Sequence, residues 1–412
     1  MKTNVIIGQS GGPTAAINAS LAGIIRQAMR SPEIGEIYGM LNGIEGLLKR
    51  RVIDLRPNFR TARDFDVLAA TPAMALGSCR YKLPSADAAK ETYEQILQIF
   101  KEYGIGAFFY IGGNDSMDTV KQTNAFFKSR GENIRCVGVP KTIDNDLPVT
   151  DHTPGFGSAA KYIAGTIAEL ALDSSVYDMF NVIVVEIMGR NAGWLTASSV
   201  LARDSGAAAP QLIYLPETAF DADDFIGKVK GYANKNQLLI VAASEGLKTK
   251  DGKYLSAEGA SVDTFGHAAL AGTGRYLEGL IKDRVGCKVR SVELSVLQRA
   301  AGHYASAADI SEAQKIGEEG VAAALRGETG VMTAIERVSD EPYVARYVTV
   351  PVELCAGLEK TVPLEWITGG CDVSGDMVAY LRPLVAGRAP YFEKNGVPEY
   401  MRLDRTIVKG KF

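Results

Sequence analysis

Short apolar runs that stop at glycine or at a polar turn recur along this chain, and helix-length segments separate them. TNVIIG, EIYGML, AFFYIGG and RCVGVP read as strands, followed by NVIVVEIMG, QLIYLPE, QLLIVAASEG and VRSVELS. INASLAGIIRQAM, SADAAKETYEQILQIFKEYG, WLTASSVLARDSG and GHAALAGTGRYLEGLIKDR read as helices between them. This alternation predicts parallel sheets with helices on both faces. A chain of 412 residues has room for two such units. The break DHTPGFGS, with Pro154, Gly155 and Gly157 ahead of the helix AAKYIAGTIAELALDSS, marks the boundary. The expected fold class is therefore α/β, with two Rossmann-like doubly wound domains, mainly parallel sheets and an interdomain active-site cleft. After residue 330 the strands GVMTAIERV and YVARYVTVPVE and the turn ITGGCDVSGD form a tail that could pack on either domain.

Composition removes several classes of function. A net charge of -3 and the lack of a long Lys/Arg run leave no footprint for nucleic acid. The five cysteines form no CxxC pair, which argues for a reducing compartment rather than a disulfide framework. The start MKTNVIIGQSGG is too short in apolar residues for a signal-peptide core, and no run reaches the roughly 18 apolar residues of a membrane span. A cytoplasmic protein without membrane or nucleic-acid partners is expected.

Many of the 43 glycines gather at strand ends, where sheets of this kind bind ligands. Gly8-Gln-Ser-Gly-Gly12 could offer backbone N–H groups to an anion, although such turns are common. IGGNDS, residues 111–116, repeats the strand-to-glycine pattern but sets Asp115 where a polyphosphate's charge would lie; the plainer reading is that Asn114, Asp115 and Ser116 cap a helix. Pro140-Lys-Thr-Ile-Asp-Asn-Asp146 is more informative. In an extended segment Asp144 and Asp146 would point the same way, beside Lys141, as suits a general base working with a phosphate-bound metal. An Asx-turn with a solvated lysine is the bland alternative. Met188-Gly-Arg190 supplies an arginine at a strand end and says little alone. The three histidines are scattered; His152 is read as ordering the neighbouring loop, and His267 and His303 as capping or packing groups.

Together these stretches resemble the phosphofructokinase superfamily. GSCRYK at Gly77–Lys82, GGNDS, PKTIDND, MGR, the SEG at Ser244–Gly246 and LQR ending at Arg299 stand in the family's order and approximate spacing. The resemblance implies a donor-binding domain, residues 1–155 completed by part of 300–360. It also implies a sugar-phosphate-binding domain, residues 156–300 completed by part of 361–412. ATP-dependent bacterial members resemble one another in having glycine at the positions of Asp115 and Lys141, so this chain looks like the pyrophosphate-dependent branch. A carboxylate at 115 would repel and crowd a nucleotide's α-phosphate, which diphosphate lacks. Lys141 would follow charge on the transferred phosphoryl group. The reaction so implied is diphosphate plus fructose 6-phosphate giving phosphate plus fructose 1,6-bisphosphate, reversible and Mg²⁺-dependent.

By the same resemblance Asp144 is the base for the sugar 1-hydroxyl, with Thr142 and Asp146 holding its loop. Gly12 and Arg80 contact diphosphate, with Asp115 and Lys141 setting donor choice. Met188, Gly189, Arg190, Glu245 and Arg299 hold fructose 6-phosphate, and Arg290 reaches across a subunit interface, making a homodimer the minimum active unit, with a homotetramer also compatible. Asn114 stands where the family has a Mg²⁺-binding aspartate, Asn181 where many relatives carry a second cross-subunit arginine, and Val296 where ATP-dependent relatives have histidine. Glu217 matches an effector-contacting position and is read as structural. An ATP-dependent phosphofructokinase and a non-catalytic sugar-phosphate-binding regulatory subunit are the alternatives; an intact Asp144 speaks against the second. A dinucleotide-binding dehydrogenase fails for want of a GxGxxG turn with its acidic partner.

Overall fold

The computed structural model describes residues 2–79, 81–235, 237–256 and 272–410. Its first part lays down β1 (Thr3–Gln9), β2 (Ile34–Met40), β3 (Val52–Asp54), β4 (Ile105–Gly112) and β5 (Arg135–Pro140). The connecting helices are α1 (Ile17–Arg30), α2 (Gly43–Leu48), α3 (Ala62–Ala70), α4 (Lys90–Glu102) and α5 (Asn114–Ser129). α4 starts later than the sequence pattern suggests, because Ala88 and Ala89 donate their N–H groups to Ser85 O in a separate turn. Apolar residues alternate across the strands, so Val5 and Ile7 enter a core with α1 while Ile6 enters a second core with Tyr93 and Phe100 of α4. β1 lies between β2 and β4, parallel to both. The chain thus winds outward from β1 in one direction and then the other, leaving a crevice past the carboxyl ends of β1 and β4.

The next part contributes α6 (Phe156–Ser175), β6 (Asn181–Ile187), α7 (Trp194–Ser198), β7 (Leu212–Tyr214), α8 (Ala222–Ala233), β8 (Leu239–Ser244), α9 (Thr273–Arg284) and β9 (Lys288–Glu293). These strands form a separate parallel sheet in the order β7-β8-β6-β9. It too is covered on both faces: Ile183, Val185 and Ile187 of β6 pack with α6 and α7, and Val182 and Val184 pack with α8 and α9. The first residues of GHAALAGTG, with His267, lie outside the described residues.

The remainder divides its packing. α10 (Ala307–Leu325) lies on α1, so closely that a Cβ on Gly23 would stand 2.0 Å from Gln314 O and one on Gly317 2.3 Å from Ser20 O. β10 (Val331–Asp340) pairs in parallel with β5, and β11 (Tyr343–Pro351) runs antiparallel beside it, giving the seven-stranded order β11-β10-β5-β4-β1-β2-β3. The hairpin of β12 (Ile367–Thr368) and β13 (Asp372–Val373) instead meets the second sheet, where Cys371 O accepts from Ile213 N–H at 2.8 Å. α11 (Gly375–Leu381) buries Met377 and Leu381 in the second sheet's core. Beyond it the chain returns: Ala389 and Leu403 enter the first sheet's core, and Val408 N–H donates to Val52 O at 2.9 Å. All five cysteines are free thiols, and among the described residues no helix is long and apolar enough to cross a membrane.

Candidate active site

The carboxyl ends of β1, β4 and β5 carry the glycine turns and the lysine–aspartate loop side by side. Lys141 leaves β5 and is buried; its ammonium donates to Gly12 O at 2.8 Å, and its N–H donates to Gly112 O at 2.9 Å. Gly11, at φ +81°, lets the turn pass over that ammonium: a Cβ there would stand 3.2 Å from Nζ. Burial pushes the Lys141 ammonium down to about 8, although Asp144 and Asp146 favour its charged form and Arg299 opposes it. Arg299 also approaches Gly12 from the other side, since a Cβ on Gly12 would lie 3.8 Å from Nη1.

The loop after Lys141 is not extended. Asn145 sits at φ +55°, so Asp144 and Asp146 are not held to one side by strand alternation as the sequence pattern suggested. Both carboxyls nevertheless bind protons more tightly than usual: Asp144 is pushed up by burial, against its bond to Thr142 and the Lys141 and Arg190 charges, and Asp146 is pushed up to about 7 by burial and by Asp144. Thr142 Oγ1 lies 3.2 Å from Asp144 Oδ2 and accepts from the Asp144 N–H at 3.1 Å. Asn145 is locked by Tyr380 Oη at 2.8 Å and by the Thr153 N–H at 3.1 Å. Asp146 Oδ1 is buried without a hydrogen-bond partner among the described residues.

The IGGNDS segment also differs in detail from a capping reading. Gly113 is the N-cap, and Asn114 and Asp115 already lie in the first turn of α5. Asn114 uses its amide on a distant segment, accepting from Gly357 N–H at 2.9 Å and donating to Leu358 O at 2.6 Å. Asp115 is half-buried and pairs with Lys82 at 3.7 Å. Arg80 lies outside the described residues; its neighbour Ser78 donates to Gly11 O at 2.7 Å, which holds the GSCRYK loop against the first turn.

The second sheet faces this loop with its own strand ends. Gly189, at φ +140°, follows β6, and its N–H donates to Glu245 Oε1 at 3.3 Å. A Cβ on Gly246 would stand 1.9 Å from Arg190 O, so the turn after β8 needs glycine. Met188 N–H is 3.3 Å from Gln298 Oε1. Burial, opposed by the Gly189 N–H and aided by Asp144, lifts Glu245 to about 7. Arg190 Nε is buried with no hydrogen-bond partner among the described residues. Gly12, Lys141, Thr142, Asp144, Asp146, Arg190, Glu245 and Arg299 therefore converge. Arg290 does not; it is exposed on β9, an edge strand of the second sheet.

Among the described residues no group of three or more His, Cys, Asp or Glu could hold a metal ion. His152 is buried, with Nδ1 2.8 Å from Asp151 and Nε2 2.7 Å from Glu312. Burial alone would lower it, but these two carboxylates raise it to about 9, and the imidazolium braces the base loop. Glu217 Oε1 accepts from the N–H groups of Gly193 at 2.8 Å and Val362 at 2.9 Å, a structural clamp.

A family model described as phosphofructokinase matches residues 4–324. The chain belongs to the phosphofructokinase family. It is 40% identical over 412 residues to a pyrophosphate–fructose 6-phosphate 1-phosphotransferase of Xanthomonas campestris, covering 99% of this chain and 98% of that one. A phosphotransferase of the same name from Methylococcus capsulatus is 39% identical, covering 99% and 97%. Among solved structures, a pyrophosphate-dependent phosphofructokinase from Nitrosospira multiformis superposes with a TM-score of 0.88 at 37% identity, covering 100% of this chain and 98% of that one. Phosphofructokinase relatives thus share both sheets and the full length of the chain, including the tail beyond the family model.

Sequence reasoning missed three contributors to the cleft: Asn145 and Tyr380, which lock the base loop, and Lys360, whose N–H donates to Asp146 O at 2.6 Å. Tyr380 and Lys360 lie more than two hundred residues from the loop they touch, and no local pattern marks them.

Proposed function

We propose that this phosphofructokinase transfers a phosphoryl group from diphosphate to the 1-hydroxyl of fructose 6-phosphate, giving phosphate and fructose 1,6-bisphosphate, reversibly, in the cytoplasm. The observation that carries the donor choice is the buried Lys141 ammonium under the Gly11–Gly12 turn, beside an α5 whose first turn bears Asp115. Diphosphate brings compact charge that a buried cation and a glycine turn can match, and it ends before Asp115.

Asp144, held by Thr142, accepts the hydroxyl proton as the oxygen attacks phosphorus, and Lys141 and Arg80 stabilise charge on the transferring and leaving groups. Arg190, whose buried Nε has no hydrogen-bond partner among the described residues, Arg299 and the 188–189 turn hold the sugar phosphate, and Glu245 holds the sugar. Asp146 keeps the loop in place. The first sheet thus binds the donor and the second the acceptor.

The donor set suits Mg²⁺ that arrives with diphosphate: one neutral amide oxygen, Asn114 Oδ1, already shared with Gly357 N–H, and no metal-holding carboxylate cluster among the described residues. Asn114 is the residue that would hold Mg²⁺, which would supply neutralisation of phosphate oxygens there. Arg290 is exposed on an edge strand whose Lys288 lies over the exposed Tyr177 ring, and as a cation on that outer strand it suits a partner subunit's sugar phosphate, which supports a homodimer.

The test is purified protein with fructose 6-phosphate and Mg²⁺, given diphosphate or ATP in parallel. Fructose 1,6-bisphosphate should form with diphosphate; turnover with ATP alone would reverse the donor assignment.

A further inference from the structure

The mechanism makes no use of the segment between β11 and β12, yet that segment touches each part of the cleft. From Gly357 to Val362 the chain has neither helix nor strand. On the donor side Asn114 grips Gly357 N–H at 2.9 Å and Leu358 O at 2.6 Å. Over the base loop, Lys360 N–H donates to Asp146 O at 2.6 Å, and its ammonium donates to Thr150 O at 3.2 Å and Asp151 O at 2.8 Å. On the acceptor side Asn191 Nδ2 lies 3.2 Å from both Glu359 carboxylate oxygens, Trp194 Nε1–H donates to Lys360 O at 3.0 Å, and Glu217 takes Val362 N–H at 2.9 Å.

The anchors are adjacent to residues with assigned chemistry: Asn114 precedes Asp115, Asp146 follows Asp144 by two positions, and Asn191 follows Arg190. A loop that merely crosses the surface satisfies its backbone largely with water. Here the indole of Trp194, the amide of Asn114 and the carboxylate of Glu217 do so, while Glu359 and Lys360 turn their own side chains to Asn191 and to the carbonyls of Thr150 and Asp151, each at a cost in side-chain entropy. Charge is also placed deliberately around the base. Lys360 faces Asp146, Asp151 and Arg337; Asp146 faces Asp144, Glu359 and Lys360; Asp144 faces Lys141, Arg190 and Glu359.

We propose that Gly357–Val362 is a strap that fixes the donor loop, the base loop and the acceptor loop relative to one another, with Lys360 and Glu359 as positioning residues for Asp144 and Asp146. The proposal rests on the phosphotransferase reading. Neither side chain need touch substrate; the strap acts by preorganisation, because a misplacement of about 1 Å between donor and acceptor costs on the order of 100-fold in rate.

The test compares full-length Lys360→Met and Glu359→Gln with the wild type, measuring kcat, KM and the pH dependence of kcat, with thermal melting as a folding control. Lys360→Met should lower kcat by roughly 100-fold while KM for fructose 6-phosphate changes by less than about 3-fold. The acidic limb of kcat should move up in Lys360→Met, which loses a cation, and down in Glu359→Gln, which loses an anion, each by about half a pH unit. Opposite movements are not produced by loosening alone. Folded variants with kcat within about 2-fold of wild type and unmoved limbs overturn the strap. If Lys360→Met does not fold, Glu359→Gln decides alone, and an unmoved or raised limb overturns it. Should the wild type use ATP rather than diphosphate, the same comparison runs with ATP, which separates an error about the donor from an error about the strap.

Discussion

An ammonium enclosed by protein answers to pH and to nearby anions far more than one in water. Lys141, brought down to about 8 by burial, is charged at neutral pH and loses its proton as pH rises through that value. Asp144, pushed above the ordinary carboxylate range by burial, must lose its proton to act as base. kcat/KM for diphosphate should therefore trace a narrow bell, rising through the raised carboxylate and falling above pH 8. A Lys141→Met variant should lose the alkaline limb and about 100- to 1,000-fold in kcat. Donor choice is tested at the same scale by Asp115→Gly combined with Lys141→Gly. Diphosphate turnover should fall at least about 100-fold with weak ATP use appearing, and unchanged diphosphate turnover would remove these residues from donor selection. Lys141, Asp144 and Arg190 were legible because each follows a recognisable strand. The fixed φ of Asn145 was not, because an isolated Asn permits a left-handed backbone without requiring it.

Between elements, α1 and α10 cross so closely that their backbones meet through Gly23 and Gly317. Gly317→Ala would gain helix propensity, but its Cβ would fall 2.3 Å from Ser20 O. The clash should win, with net destabilisation of about 1–3 kcal/mol read from urea unfolding. Strands and helices up to residue 300 could be read from their period because each is long, amphipathic or uniformly apolar. The tail could not be assigned, for a physical reason. Its strand GVMTAIERV fits any sheet edge; what selects β5 is Gly330 N–H donating to Cys136 O at 2.8 Å and the fit of Met332 beside Gly138.

Across the whole molecule, the Asp151–His152–Glu312 cluster ties the base loop to α10. Arg337 of β10 joins it through Asp151, and Tyr380 of α11 donates to Asp151 O at 2.8 Å. His152 is raised to about 9 by Asp151 and Glu312 against its burial. Its stabilising charge is thus fully present below the unfolded value near 6.5 and lost as pH rises through 9. Stability should fall by up to about 3 kcal/mol between those limits, and His152→Gln should flatten that slope in melts across pH. The homodimer is tested by mixing. Arg290→Ala and Asp144→Asn chains, each inactive, should regain about one quarter of wild-type activity when unfolded and refolded together, because each mixed dimer holds one intact site. No recovery would place Arg290 outside a shared site.

The seven-stranded order has one more consequence, for a chain emerging from the ribosome. β5 is complete at Pro140, but the strand that covers its edge begins at Val331. At about 5–20 residues per second, that edge waits roughly 10–40 s while the whole second sheet is synthesised. An open parallel edge is a template for wrong partners, so the birth of this protein passes through a vulnerable interval that ends only when its tail turns back.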